Sequence, residues 1–279
     1  MTSIREPVVA GAFYPGSAIA LQETLARLFG GPVEVAESAL TSPAGLIAPH
    51  AGYVFSGPTA AVGYRWLATL GRPAWALILG ANHTGMGRPI SLVRHGAWRT
   101  PLGEAPIATE LADRLIEKGL EVAEVAFLRE HSVEVQLPFL QFLFGEGFPF
   151  VPVCVMTPTL SELMRAGESI ADVIRDQPGV VITSSDFTHY EPQDVAKKRD
   201  QKAIERILAL DVEGFYRSLA EERLSICGGG AIAILMTIAR TLDWDKPRLL
   251  TYATSGDITG DRSAVVGYAA ICFAGSEHG

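Results

Sequence analysis

Three short apolar runs in this chain each end in a polar segment that carries a histidine. Gly45–Pro49 leads into Ala48-Pro-His-Ala-Gly-Tyr53, and Trp75–Leu79 into Gly80-Ala-Asn-His-Thr-Gly85. Val180–Thr183 leads into Ser184-Ser-Asp-Phe-Thr-His-Tyr190. A lone histidine after a strand is ordinarily a hydrogen-bonded loop residue, but three in equivalent places on one rim suggest a shared ligand. Neutral imidazole suits iron, copper, zinc and nickel alike, so the residue type points to a metal without naming it. Glycines near His50 and His83 let the backbone approach a ligand closely. Asp186 is open to three readings: a ligand, a partner that orients a ligating histidine, or a loop-forming residue.

Cys227 lies in Ser225-Ile-Cys-Gly-Gly-Gly230, just before an expected helix. A thiol at a helix N-terminus is expected to have a lowered pKa, and the thiolate binds metal or attacks an electrophile. The alternatives are a small residue at a tight turn, or a glycine-rich helix start that cradles an anion. Cys154 and Cys272 fall inside apolar strands and read as inert core. His131 and Glu134 fall three apart, which on a helix makes His131 a proton carrier oriented by Glu134, or leaves both as capping residues. His95, near Trp98, and His278, in the C-terminal tail, are left out of the site. Asp257 and Asp261 read as turn residues, and Arg88 and Arg99 as exposed charges.

The elements that would position these groups alternate along nearly the whole chain. Strands are expected at 45–49, 75–79, 90–93, 148–155, 180–183, 249–253 and 264–273. Helices are expected at 58–70, 107–118, 131–144, 160–174, 196–210, 212–219 and 229–242, with Ser56 capping the first and Pro138 disturbing the third. That alternation predicts an α/β protein: one domain over residues 1–279, with a largely parallel central sheet flanked by helices. The last two strands are expected to pair antiparallel. Ligands of such sheets collect beyond the carboxyl ends of the strands, where the three histidine segments lie.

The 279 residues carry a net charge of −8, which argues against a nucleic-acid footprint or a polybasic membrane anchor. Three scattered cysteines are no disulfide framework and fit a reducing compartment. No apolar run approaches the about 20 residues that span a bilayer, and the N-terminus lacks a signal-peptide core. A cytoplasmic protein is expected.

Several segments together resemble the Memo family. They are Val9-Ala-Gly-Ala-Phe-Tyr-Pro15, the decapeptide Ala48–Gly57, Leu79-Gly-Ala-Asn-His83, Glu130-His-Ser-Val-Glu-Val-Gln-Leu-Pro138, Ser185-Asp-Phe-Thr-His189 and Cys227–Gly230. They occur in order along essentially the full chain. Prokaryotic members are known as AmmeMemoRadiSam system protein B, and the resemblance implies association with AMMECR1-like and radical SAM proteins. It also implies a fold similar to class III extradiol ring-cleavage dioxygenases, whose Fe(II) is held by two histidines and a glutamate. His50 and His83 match the two histidines, and Cys227 falls in the carboxylate's place. His189 and His131 match the acid–base positions.

The resemblance thus implies a mononuclear non-haem site with Fe(II) or copper, zinc being a further candidate, and a redox-linked role. Thiolate in place of carboxylate is softer and oxidisable, so ring cleavage does not carry over. A second expectation is a binding module whose former catalytic pocket takes a phosphorylated or other anionic ligand, such as phosphotyrosine. A third is hydrolysis, with Cys227 as nucleophile, His189 as base and Asp186 orienting it.

Overall fold

The computed structural model describes residues 3–38, 40–156 and 158–274, so His278 lies outside the described residues. The chain begins with β1 (Ile4–Arg5), α1 (Ala18–Leu28), β2 (Ala44–Ala48), α2 (Tyr53–Thr69) and β3 (Ala76–Ala81). Next come β4 (Ile90–Leu92), β5 (Ala97–Thr100), β6 (Gly103–Pro106), α3 (Thr109–Glu117) and β7 (Glu121–Val122). After two short 3-10 turns follow α4 (Leu137–Phe144), β8 (Phe150–Val155), α5 (Leu160–Ile174), β9 (Val180–Ser184) and β10 (His189–Glu191). The chain closes with α6 (Gln193–Leu208), α7 (Val212–Glu221), α8 (Gly229–Thr241), β11 (Arg248–Thr254), α9 (Ser255–Thr259) and β12 (Val265–Phe273).

The main sheet runs β10-β12-β2-β9-β3-β8-β4-β7, with β11 also paired to β12. Its centre, β2-β9-β3-β8, is parallel, and every residue of these four strands is buried. A parallel strand covered on both faces needs apolar side chains pointing both ways, which explains the continuous runs Ala-Gly-Leu-Ile-Ala, Ala-Leu-Ile-Leu-Gly-Ala and Phe-Val-Pro-Val-Cys-Val. Adjacent residues of β2 show the two faces. Leu46 lies against Gly63 of α2, whereas Gly45 faces Leu235 of α8. Helices α1 and α4 pack with α2, while α5 and α7 pack with α8. This is the expected α/β architecture, with antiparallel strands added on both sides.

The last two strands pair antiparallel, but β12 also pairs with β2 and β10, so β11 alone lies outside the main path. Several elements differ from the sequence expectation. Helix α2 starts at Tyr53, next to the His50 loop, and contains Pro58 in its interior. The carbonyl that loses its partner to Pro58 belongs to Val54, which is 74% exposed and can turn to water. Ser56 does not cap it; its hydroxyl donates to the Ala51 carbonyl at 2.7 Å. The 131–144 stretch is a turn and a 3-10 segment (Glu134–Gln136) before α4, and Pro138 sits in the first turn of α4, where a missing N–H costs little. Finally, β1, β5 and β6 form a small separate sheet that the weak local patterning did not reveal.

Candidate metal centre

Register builds the site. In the parallel centre, Ser184 of β9 pairs with Ala48 of β2 on one side and Gly80 of β3 on the other. All three strands therefore end level, and His50, His83 and Asp186 follow within three residues of that row. The turn after Glu130 enters from the side and adds His131. One donor atom from each of His50, His83 and His131 lies within 4.8 Å of the others. The His83 and His131 rings stack at 4.7 Å, and His50 stands edge-on to both, at 5.3 and 5.4 Å. His50 is buried, His131 half-buried and His83 open to solvent, so the cluster has a closed floor and an accessible mouth.

Glu130 organises two of the three. Fully buried, it accepts from the His83 ring Nδ1 at 2.9 Å and the His83 backbone N–H at 2.6 Å. It also accepts from the backbone N–H groups of His131 and Ser132, each at 2.9 Å. Burial alone would raise its pKa, but the His83 hydrogen bond and charge, with the amides, hold it down at about 2. Burial lowers the His83 pKa, yet Glu130 outweighs it, and the net shift is upward. The carboxylate fixes the proton on Nδ1 and turns Nε2 toward the pocket, the arrangement that second partners give metal-binding histidines. Burial depresses His50 to about 3 and His131 to about 4, so both imidazoles stay neutral and able to donate.

Cys227 reaches this cluster from the start of α8. Its Sγ lies 3.2 Å from His50 Nε2 and accepts the Asp186 backbone N–H at 3.1 Å. The helix start does not lower its pKa as expected. Burial, reinforced by the Asp186 charge, pushes the thiol well above its ordinary range. The glycines serve close packing: a Cβ on Gly228 would come within 2.5 Å of the Ser185 side chain and 2.8 Å of the Ser184 carbonyl. Nor are the amides of Gly228 and Gly229 free for an anion, since they donate to Ser185 Oγ and the Ile226 carbonyl.

Asp186 is buried, and its Oδ1 accepts the backbone N–H groups of His50, at 2.8 Å, and Ala51, at 3.3 Å. It thus braces the loop that presents His50, and burial raises its pKa. His189 is anchored on Ser225: its backbone N–H donates to the Ser225 hydroxyl oxygen and its Nδ1 donates to the Ser225 carbonyl at 2.7 Å. A carbonyl can only accept, so Nδ1 carries a proton. The imidazole in contact with the thiol is His50, so the expected pairing of Cys227 with His189 as base is not the one the structure forms.

Glu134 does not orient His131. Both its oxygens are engaged by the N-terminal segment: Arg5 Nη1 at 2.7 Å, the Val8 and Val9 N–H groups, and the Tyr14 hydroxyl at 2.7 Å. Arg5 also donates to the Glu130 carbonyl, and Phe13 of the same segment stands edge-on to His131 at 4.8 Å. Sequence reasoning picked the wrong glutamate, because it assumed a helix over 131–144 and so favoured the residue three positions on. Adjacency to His131 was the only available pointer to Glu130. His95 lies in the bend before β5, Asp257 caps α9 through Thr254, and Asp261 accepts from Ser263. Arg88 and Arg99 pair with surface glutamates. None of these joins the cluster.

Comparison with known proteins places this geometry in context. A family profile described as "Memo-like protein" matches residues 5–272. A MEMO1 family protein of Methanopyrus kandleri is 46% identical over 279 residues, covering 96% of this chain and 98% of its own. Those of Methanosarcina acetivorans and Thermotoga neapolitana are 43% and 42% identical, covering 96% and 95% of this chain and 98% of their own. Among solved structures, an uncharacterised protein of Escherichia coli K12 superposes with a TM-score of 0.54 at 14% identity. It covers 82% of this chain and 98% of that one, a likeness of fold alone. A match over nearly the whole length, with identities above 40%, settles membership: this chain belongs to the Memo family.

Proposed function

We propose that this protein binds one Fe(II) or copper ion between His50, His83 and Cys227 and uses it in redox chemistry on a small substrate. The observation that carries the reading is the convergence of three imidazoles, two kept neutral by burial and the third braced by a buried carboxylate, at the open end of the sheet. Imidazole nitrogens gathered within 4.8 Å of one another fit a cation far better than any anion. Cys227 Sγ is the next donor an ion on His50 Nε2 would meet. A thiolate there favours a soft or redox-active metal over magnesium or calcium.

The ion would supply Lewis acidity and an electron; the chain's own residues do the rest. Glu130 and Asp186 hold the ligand loops, while Phe13 walls one side of His131. His131, a neutral member of the cluster, and His189, held on Ser225, would move protons at the mouth. Protein purified without oxygen or chelator should carry near-stoichiometric iron or copper by elemental analysis. Cys227→Ser and His83→Ala proteins should lose most of it. Undiminished metal in both variants would show that this site is not where the ion binds.

A further inference from the structure

We infer that Ser184 is a positioning residue that forces His50 to carry its proton on Nδ1, so that Nε2 faces the pocket as a bare donor. The inference deepens the metal-site reading and rests on it for its consequence, though not for the tautomer itself. A serine hydroxyl has one proton to give and two lone pairs to accept with. In this structure all three are assigned by their neighbours. Ser184 Oγ lies 2.6 Å from the Ser132 carbonyl, which can only accept, so the hydroxyl proton goes there.

Gln136 Nε2 lies 2.7 Å from the same Oγ and 2.9 Å from the Pro49 carbonyl. The carbonyl again can only accept, which fixes that end of the amide as the nitrogen. Its other end, Oε1, takes the Tyr64 hydroxyl at 2.8 Å. Ser184 therefore accepts from Gln136 and has one lone pair left. His50 Nδ1 is 3.0 Å from it. With no hydroxyl proton left to donate, the contact works in one direction only: Nδ1–H donates and Ser184 accepts. Ser184, Gln136 and Tyr64 are all fully buried, so no water can reverse the arrangement.

The two histidines at the strand ends thus share a tautomer but not a partner. His83 leans on a carboxylate and His50 on a neutral hydroxyl, which makes His83 the stronger donor of the pair. The chain of contacts also ties together three stretches distant in sequence: Pro49, Ser132–Gln136 and the end of β9. Loss of the Ser184 hydroxyl strands Nδ1–H without an acceptor in a dry site. The proton then does better on Nε2, aimed at Cys227 Sγ, where it blocks the metal-binding nitrogen.

The test is nitrogen NMR of histidine-labelled, metal-free protein, with the His50 signals assigned by their loss in His50→Gln. Wild type should show a protonated Nδ1 and a bare Nε2 at His50, and Ser184→Ala should move the proton to Nε2. Gln136→Met, which keeps the Ser132 and His50 contacts of Ser184, should retain the wild-type tautomer. Titration with Co(II) should show affinity falling about tenfold to a hundredfold in Ser184→Ala. A bare Nδ1 in the wild-type protein overturns the inference, as does unchanged tautomer and affinity in Ser184→Ala. If wild type binds no Co(II) yet shows Nδ1–H, the metal reading falls while the tautomer assignment stands. The wild-type spectrum decides even if a variant fails to fold.

Discussion

Glu130 does for His83 with a charge what Ser184 does for His50 without one. Replacing it by glutamine keeps an oxygen near Nδ1 but removes the charge and offers N–H groups to a site crowded with backbone donors. Glu130→Gln should therefore weaken Co(II) binding about tenfold or more, measured by its visible absorption. Proton linkage then tells which groups bind. His50 and His131 titrate at about 3 and 4, so neither takes a proton between pH 5 and 8. Cys227, with its pKa pushed high, must shed a proton to become a ligand. If it does, apparent affinity should rise with pH more steeply in wild type than in Cys227→Ser, by about tenfold per pH unit, the thiol's one proton leaving per ion bound. His83, raised by Glu130, contributes its own proton equally to both. Equal slopes in wild type and Cys227→Ser would remove the thiolate from the ligand set.

Elements place these residues through register and close approach rather than through local sequence. The row Ala48–Ser184–Gly80 aligns three strand ends, and α8 must come close enough for Cys227 to touch His50. Gly228 is the point of contact. A methyl there would overlap the Ser185 side chain and the Ser184 carbonyl, the second of which is backbone and cannot swing away. Gly228→Ala should cost about 1–3 kcal/mol in urea unfolding and reduce metal affinity as Cys227 is displaced. Wild-type stability and affinity together would contradict this packing. The strand ends were legible in sequence because buried parallel strands are continuous apolar runs, and polar residues mark where they stop. Glu130 was not, since its partner His83 is 47 positions away and no periodicity links them. The reach of Cys227 to His50, 177 positions apart, was legible only through family likeness.

At the scale of the whole molecule, the site is a polar inclusion between one large core and an N-terminal strap, open to solvent at His83. The strap is pinned by Arg5, Val8, Val9 and Tyr14 onto Glu134, which is why that carboxylate is buried at all. Such an inclusion couples stability to pH, and the sign follows from the imidazoles. His50 and His131 have folded pKa values of about 3 and 4, below the 6.5 of a free histidine. Between those limits the unfolded chain binds the extra protons, so stability present above 6.5 is lost as pH falls toward 4. Each such proton is worth about 1.4 kcal/mol per pH unit in that window. His83, raised by Glu130, acts in the opposite sense and offsets part of the loss. Metal-free protein should therefore be roughly 2–4 kcal/mol less stable at pH 5 than at pH 7 in urea titrations. Both depressed groups belong to the metal cluster, so His50→Gln and His131→Gln should each flatten the slope. A wild-type slope that survives in the double variant would locate the acid sensitivity elsewhere in the fold.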